Sequence, residues 1–187
     1  AEKSEAESAD PAITEAVTDL FRASGSDLST LARFVQGRVF PAYESRTLDI
    51  GPRLCYEAIA RAAGQNVSAD DVEQRLADMG EIGAVAASYD LGGQQGLAAF
   101  GAGGGGDDAL TVAELDDELR NLAAVDGSGS QGTKVDILFG LFSRCSSTEA
   151  GYLARLVLSE MRIGVGEGTV RDAVAAAFDV PVEAVER

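Results

Sequence analysis

Glycine recurs at three alternate positions, Gly164, Gly166 and Gly168, in the stretch Arg162-Ile163-Gly164-Val165-Gly166-Glu167-Gly168-Thr169-Val170. The run Arg171-Asp172-Ala173-Val174-Ala175-Ala176-Ala177-Phe178 follows directly. A glycine inside a helix costs roughly 1 kcal/mol relative to alanine, so the alternation marks a turn feeding a helix that begins near Glu167. The first turn of any helix leaves backbone N–H groups without partners and exposes the positive end of the helix dipole. A phosphate or carboxylate can therefore sit directly on those amides. Arg162 would add a charged fork beside it. Taken alone, the stretch reads first as a glycine-rich connector between helices.

The device occurs twice, which changes its weight. Setting Ile50-Gly51-Pro52-Arg53-Leu54-Cys55-Tyr56-Glu57-Ala58 against Val165-Gly166-Glu167-Gly168-Thr169-Val170-Arg171-Asp172-Ala173 pairs Gly51 with Gly166, Glu57 with Asp172 and Ala58 with Ala173. Upstream, Leu31-Ala32-Arg33-Phe34-Val35 matches Leu153-Ala154-Arg155-Leu156-Val157. The repeated unit is helix, turn, anion-ready helix start. Two copies related by a pseudo-twofold would suit the two phosphate strands of one duplex.

The overall charge argues against such a ligand at low salt. The chain of 187 residues carries a net charge of −16, and duplex DNA repels an acidic surface. Lysine is confined to Lys3 and Lys134, the other basic residues being arginine. With abundant Asp and Glu, this is the surface of a protein that works in concentrated salt, as in a halophilic archaeon. At 1 M ionic strength the Debye length is about 3 Å, so local contacts decide binding. Locally the trend reverses: Arg33 to Arg61 holds five arginines against Glu44, Asp49 and Glu57, and Arg144 to Arg171 holds four against Glu149, Glu160 and Glu167.

In chain order, residues 1–9 form an acidic tail. Asp10 caps, and Pro11 starts, a helix to about Ala23, and a second runs from Ser26 or Asp27 to near Gly37. The first anion-ready helix covers Pro52 to Ala63 and stops at Gly64. Ser68 to Asp71 opens a helix ending at Gly80, and a short one follows over Ile82 to Ser88. Residues 91–108, with glycine at 103 to 106, read as a mobile surface loop, since ordering so many glycines costs backbone entropy. No Gly-Lys-Ser/Thr follows, so this is not a Walker loop. Thr111 and Glu114 form a capping box for a helix to about Val125. A glycine and serine loop over Asp126 to Thr133 then precedes a helix carrying Ile137, Leu138, Leu141 and Phe142, and Ser146 with Glu149 caps the next. Residues 180–187 begin a further helix or linker, as expected of a piece of a longer chain. The expected fold is all-α, about ten helices in two pseudo-repeated halves, with residues 10–179 as one helical domain. Cys55 and Cys145 fall in apolar helical patterns and read as small buried hydrophobes. There is no histidine, no metal-ligand spacing and no apolar run long enough to cross a membrane, so a soluble cytoplasmic protein is expected.

Three stretches, Phe34-Val35-Gln36-Gly37-Arg38-Val39-Phe40-Pro41, Gly127-Ser128-Gly129-Ser130 before Lys134, and Met161 through Val170, together resemble the N-terminal DNA-binding domain of archaeal ATP-dependent DNA ligases. The resemblance runs from about Ile13 to the end. It departs at the first-copy turn, where Asp49, Pro52 and Arg53 stand in place of further glycine. It implies sequence-independent binding of nicked double-stranded DNA through the minor groove on both sides of the break. The implied contacts are Gly51, Arg53, Arg162, Gly164, Gly166, Gly168 and Thr169, with Ser128, Ser130 and Lys134 as a further backbone contact. It also implies that catalytic domains of the same chain close around the nick, and that a sliding clamp is a partner the family can dock here. ATP and magnesium are implied for the full-length parent and none for this segment. The family's Lys-x-Asp-Gly nucleotidyl-transfer motif is missing: Lys134-Val135-Asp136-Ile137 lacks the glycine and lies in a helical pattern, so the segment is expected to be inactive alone. The competing reading is a helical scaffold for other proteins, in which the glycine turns are connectors.

Overall fold

The computed structural model describes residues 10–91, 110–161 and 165–185. The acidic tail, nearly all of the glycine-rich 91–108 segment, Arg162 and Gly164 lie outside the described residues. Among those described there are ten α-helices, one 3₁₀ turn and no strand, the all-α architecture expected. The helices are α1 (Pro11–Arg22), α2 (Leu28–Phe34), α3 (Pro52–Ala63), α4 (Ala69–Met79), α5 (Ile82–Ala87), α6 (Val112–Ala124), α7 (Ser130–Ser143), α8 (Ser147–Val157), α9 (Glu167–Phe178) and α10 (Val182–Val185).

Five of the ten described helices start where a side chain takes over an orphan amide. Asp10 accepts the Ala12 N–H at 2.9 Å, with Pro11 in the first helical position. Ser68 with Asp71, Thr111 with Glu114 and Ser146 with Glu149 form reciprocal capping boxes at α4, α6 and α8. Two boundaries differ from expectation, and one is the end of α2, at Phe34 and not near Gly37. The loop expected to last until Thr133 is shorter, because α7 already begins at Ser130. Gly129 adopts φ 84°, a left-handed backbone open to glycine at little cost, and turns the chain into the helix three residues early.

The chain divides into two compact units, Ala1–Arg38 with Met161–Arg187, and Val39–Glu160. In the first, α1 packs on α9 around Val17, Phe21, Val165 and Ala173, with Leu31, Val35 and Val174 against them. In the second, α3 packs on α7, α4 on α3, and α5 on α8, and Cys55, Ile59, Val72, Leu138 and Phe142 are fully buried. The units cut across the sequence repeat. Each copy leaves its leading helix in one unit and its glycine-started helix in the other: α2 and α9 belong to the first, α3 and α8 to the second.

Helices α5 and α8 meet backbone to backbone. A Cβ on Gly151 would lie 2.8 Å from the Gly83 carbonyl, so only glycine permits the approach. Glu81 fastens the crossing: its carboxylate accepts the Gly83 and Ala84 N–H groups at 2.6 and 2.7 Å, and the Arg155 guanidinium grips it twice, at 2.9 and 2.7 Å. The Arg155 hydrogen bond, with the two amides behind it, holds the carboxyl down to about 2 from an ordinary 4.5. A depressed carboxylate pKa contributes stability above the ordinary value and loses it as pH falls from about 4.5 to about 2. Glu81→Gln should therefore lower unfolding stability near neutral pH by about 1 kcal/mol, a contribution reduced by solvent screening at a side chain 40% exposed, and flatten the acid limb in that window. Urea unfolding followed at a series of pH values checks this; an unchanged midpoint and acid limb would contradict it.

Candidate nucleic-acid interface

Among described helices of at least eight residues, four begin on a side-chain cap and three do not. The three are α3, α7 and α9, which start on Gly51, Gly129 and Gly166 with no side chain accepting from the first turn. Their first-turn amides have no side-chain acceptor, and of the three only α9 carries an acidic residue, Glu167, in its first turn. These are the same helix starts that the glycine stretches of the sequence mark.

Internal packing does not account for glycine at two of these starts or within the α9 turn. Gly51 has φ −76° and ψ 158°, and Gly166 has φ −86° and ψ 177°, backbone that any residue adopts. A Cβ at Gly51, Gly166 or Gly168 would meet nothing within 4 Å. The bare backbone at these points is exposed. At α3, Pro52 has no N–H, and the Leu54 and Cys55 amides turn back to the Gly51 carbonyl at 3.1 and 3.4 Å, which leaves the Arg53 amide as the donor without an intrahelical acceptor. At α7, Gly127 and Gly129 both have positive φ, and the exposed Ser128 stands between them. Ser130 is partly buried as the first residue of the helix. At α9, Thr169 is buried, beside the exposed Gly166, Glu167 and Gly168.

Unit 2 brings Gly51, Arg53, Ser128, Ser130 and Lys134 onto two helices that pack against each other, while Gly166, Gly168 and Thr169 belong to unit 1. Lys134 stands apart from the others. Its side chain is 4% exposed, and the ammonium donates to the carbonyls of Leu48 at 3.0 Å and Asp49 at 3.2 Å. The sequence reading placed it against a phosphate; in the structure its charge is turned inward.

The arginines at these starts are already paired with surface carboxylates. Arg53 binds Asp70 at 2.6 Å and reaches Glu73 at 3.5 Å and Glu57 at 3.8 Å. Arg38 binds Glu167, the first residue of α9, at 3.2 Å. Arg61 pairs with Asp136 and stacks on the Phe139 ring at 4.6 Å. The pairing of Arg38 with Glu167 was not legible in the sequence, because the two lie 129 positions apart.

Chemistry of other kinds is poorly served. Among the described residues, no group of three or more His, Cys, Asp or Glu could hold a metal ion, and no helix is long and apolar enough to cross a membrane. Of the Lys-x-Asp string in α7, Lys134 is spent on main-chain carbonyls and Asp136 on Arg61. Cys55 and Cys145 are buried as expected, and burial pushes both thiols up to about 12, far from thiolate reactivity.

The family model for the DNA ligase N terminus matches residues 1–175. The chain belongs to the DNA ligase N-terminus family. It is 97% identical over its full length to a DNA ligase of Haloarcula marismortui, covering 34% of that protein, and 72% identical over 93% of its length to one of Haloferax volcanii, covering 29%. A DNA ligase of Archaeoglobus fulgidus is 36% identical over 86% of the chain, with 27% of the relative covered. The chain thus spans about a third of the length of these relatives. The first two organisms are salt-dwelling archaea, in accord with the lysine-poor, acidic composition of this ligase N-terminal chain.

The pairing of Arg53 yields a test of the electrostatics at the α3 start. Asp70→Asn removes the shortest of its three partners and should raise affinity for a short duplex a few-fold in low salt, with the gain disappearing in molar potassium chloride. Fluorescence anisotropy reads the change; an affinity that stays level or falls at low salt would contradict it.

Proposed function

We propose that this ligase N-terminal chain holds double-stranded DNA without reading its sequence, as the DNA-binding part of an ATP-dependent DNA ligase. The observation that carries the proposal is the set of three glycine-started helices without side-chain caps, two of them with open space where a side chain would stand. A residue type that internal packing does not require, at helix starts where no side chain accepts from the first-turn amides, suits an outside ligand that must approach the backbone closely. Phosphate meets that description. The contacts are the amides at Gly51, Arg53, Gly166, Gly168 and Thr169, the Ser128 and Ser130 hydroxyls, and the Arg53 side chain once it exchanges its carboxylates for phosphate. Arg162 and Gly164 extend the α9 site by resemblance to the family.

Binding through amides and a few arginines positions a duplex and carries little sequence information. In this reading the chain grips the minor groove on both sides of a nick, in the cytoplasm, in DNA replication, repair and recombination. The catalytic domains of the same polypeptide and a sliding clamp are its protein partners. The described residues do not fit ATP or magnesium: there is no metal-ligand cluster, and the lysine in the nearest nucleotidyl-transfer string is buried. Nucleotide and metal belong to the rest of the longer ligase, where adenylation and phosphodiester formation would take place.

Gly168→Ala separates this reading from a protein scaffold whose glycine turns are connectors. Alanine is the better helix former and its Cβ meets nothing within 4 Å, so unfolding stability should rise, by up to about 1 kcal/mol. The same methyl group would stand between the amides and a phosphate, so duplex affinity should fall several-fold. Stability and affinity moving in opposite directions supports the reading; raised stability with unchanged affinity would leave the glycines as connectors.

A further inference from the structure

The ligase N-terminal chain avoids lysine, yet keeps one inside α7 with its charge buried. A buried ammonium is costly unless every donor finds a partner. The Lys134 Nζ has two main-chain carbonyls, Leu48 at 3.0 Å and Asp49 at 3.2 Å, and the Asp49 carboxylate stands 3.7 Å away. Both residues lie in the segment that enters α3, two and three positions before its glycine start. Leu48 is buried, and Asp49 holds φ 51°, a left-handed backbone that most residues with a Cβ avoid and that Asp tolerates better than most. A compact ammonium can point separate donors at two successive carbonyls, which the planar fork of an arginine does poorly. That difference accounts for a lysine here in a chain that otherwise uses arginine.

We infer that Lys134 is a positioning residue for the DNA-holding site: from the second turn of α7 it clamps Leu48 and Asp49, and so sets the direction in which the α3 start presents its Gly51–Arg53 backbone. The inference rests on the proposed DNA-holding function. It assigns Lys134 an indirect part in that function, through the α3 turn, where resemblance alone gives it a phosphate contact. One side chain then keeps two of the three glycine-started helices in register.

The test compares the 187-residue protein with Lys134→Met, which keeps the apolar stem and removes the ammonium. Lys134→Met, folded by circular dichroism, should bind a nicked duplex roughly tenfold more weakly, and the amides of Arg53 and Leu54 should exchange hydrogen faster than in the parent. The slope of log affinity against log salt should keep its value, whereas losing a direct phosphate contact would lower it by about 0.9. Unchanged affinity and exchange would overturn the inference, as would a slope reduced by that amount with unchanged exchange. If the variant does not fold, reductive methylation of the parent decides. Lys134 should stay unmodified with and without duplex and react only in urea, and modification in the folded free protein that duplex suppresses would overturn the inference. A parent that binds no duplex would remove the DNA-holding reading itself, and the exchange comparison would still show whether Lys134 holds the α3 turn.

Discussion

A helix that starts without a side-chain acceptor leaves its first amides to be satisfied from elsewhere, and among the described helices of at least eight residues three start this way, on Gly51, Gly129 and Gly166. Elsewhere it is careful: Asp10, Ser68, Thr111 and Ser146 each take an orphan amide, and Glu81 takes two. The same chain that builds three reciprocal capping boxes leaves α3, α7 and α9 on bare glycine. Substituting a capping side chain at Gly51 or Gly166 would meet no steric obstacle within the protein. The uncapped starts are therefore a small local sacrifice of helix stability, about a few tenths of a kcal/mol each for glycine in place of a capping side chain.

Charge is organised around the same points. With −16 overall, the protein cannot rely on a broad positive field to attract DNA, and in molar salt such a field would be screened within about 3 Å in any case. What remains are short contacts: oriented amides, which carry no counterions of their own, and a few arginines. Arg53 and Arg38 are held against Asp70 and Glu167, so engaging a phosphate replaces one anionic partner by another. Such an exchange changes the local charge balance less than exposing a free arginine would. In the proposed function it would also keep the arginines from binding anions indiscriminately in the absence of a duplex.

Much of this was legible in the sequence because it is local. The caps at residues 10, 68, 111 and 146 follow from spacing over four residues or fewer, and the glycine starts at Gly51 and Gly166 follow from the repeat. The start of α7 was missed by three residues, since the left-handed turn at Gly129 is a backbone property that a serine and glycine run does not specify. Contacts across long separations were not legible. Arg155 lies 74 residues from Glu81 and Lys134 lies 85 from Asp49, and nothing in either neighbourhood announces its partner. The inward turn of Lys134 and the division of each repeat copy between two compact units depend on tertiary packing. They left no signal in periodicity or composition.

The measurement closest to the central claim is the anisotropy of a labelled nicked duplex, and of the same duplex intact, with the unmodified protein from low to molar potassium chloride. The account predicts binding to both that is indifferent to base sequence and falls with a shallow salt slope, as expected when amides and few charges hold the phosphates. A domain that remains folded across that range and binds neither duplex at any salt would contradict it.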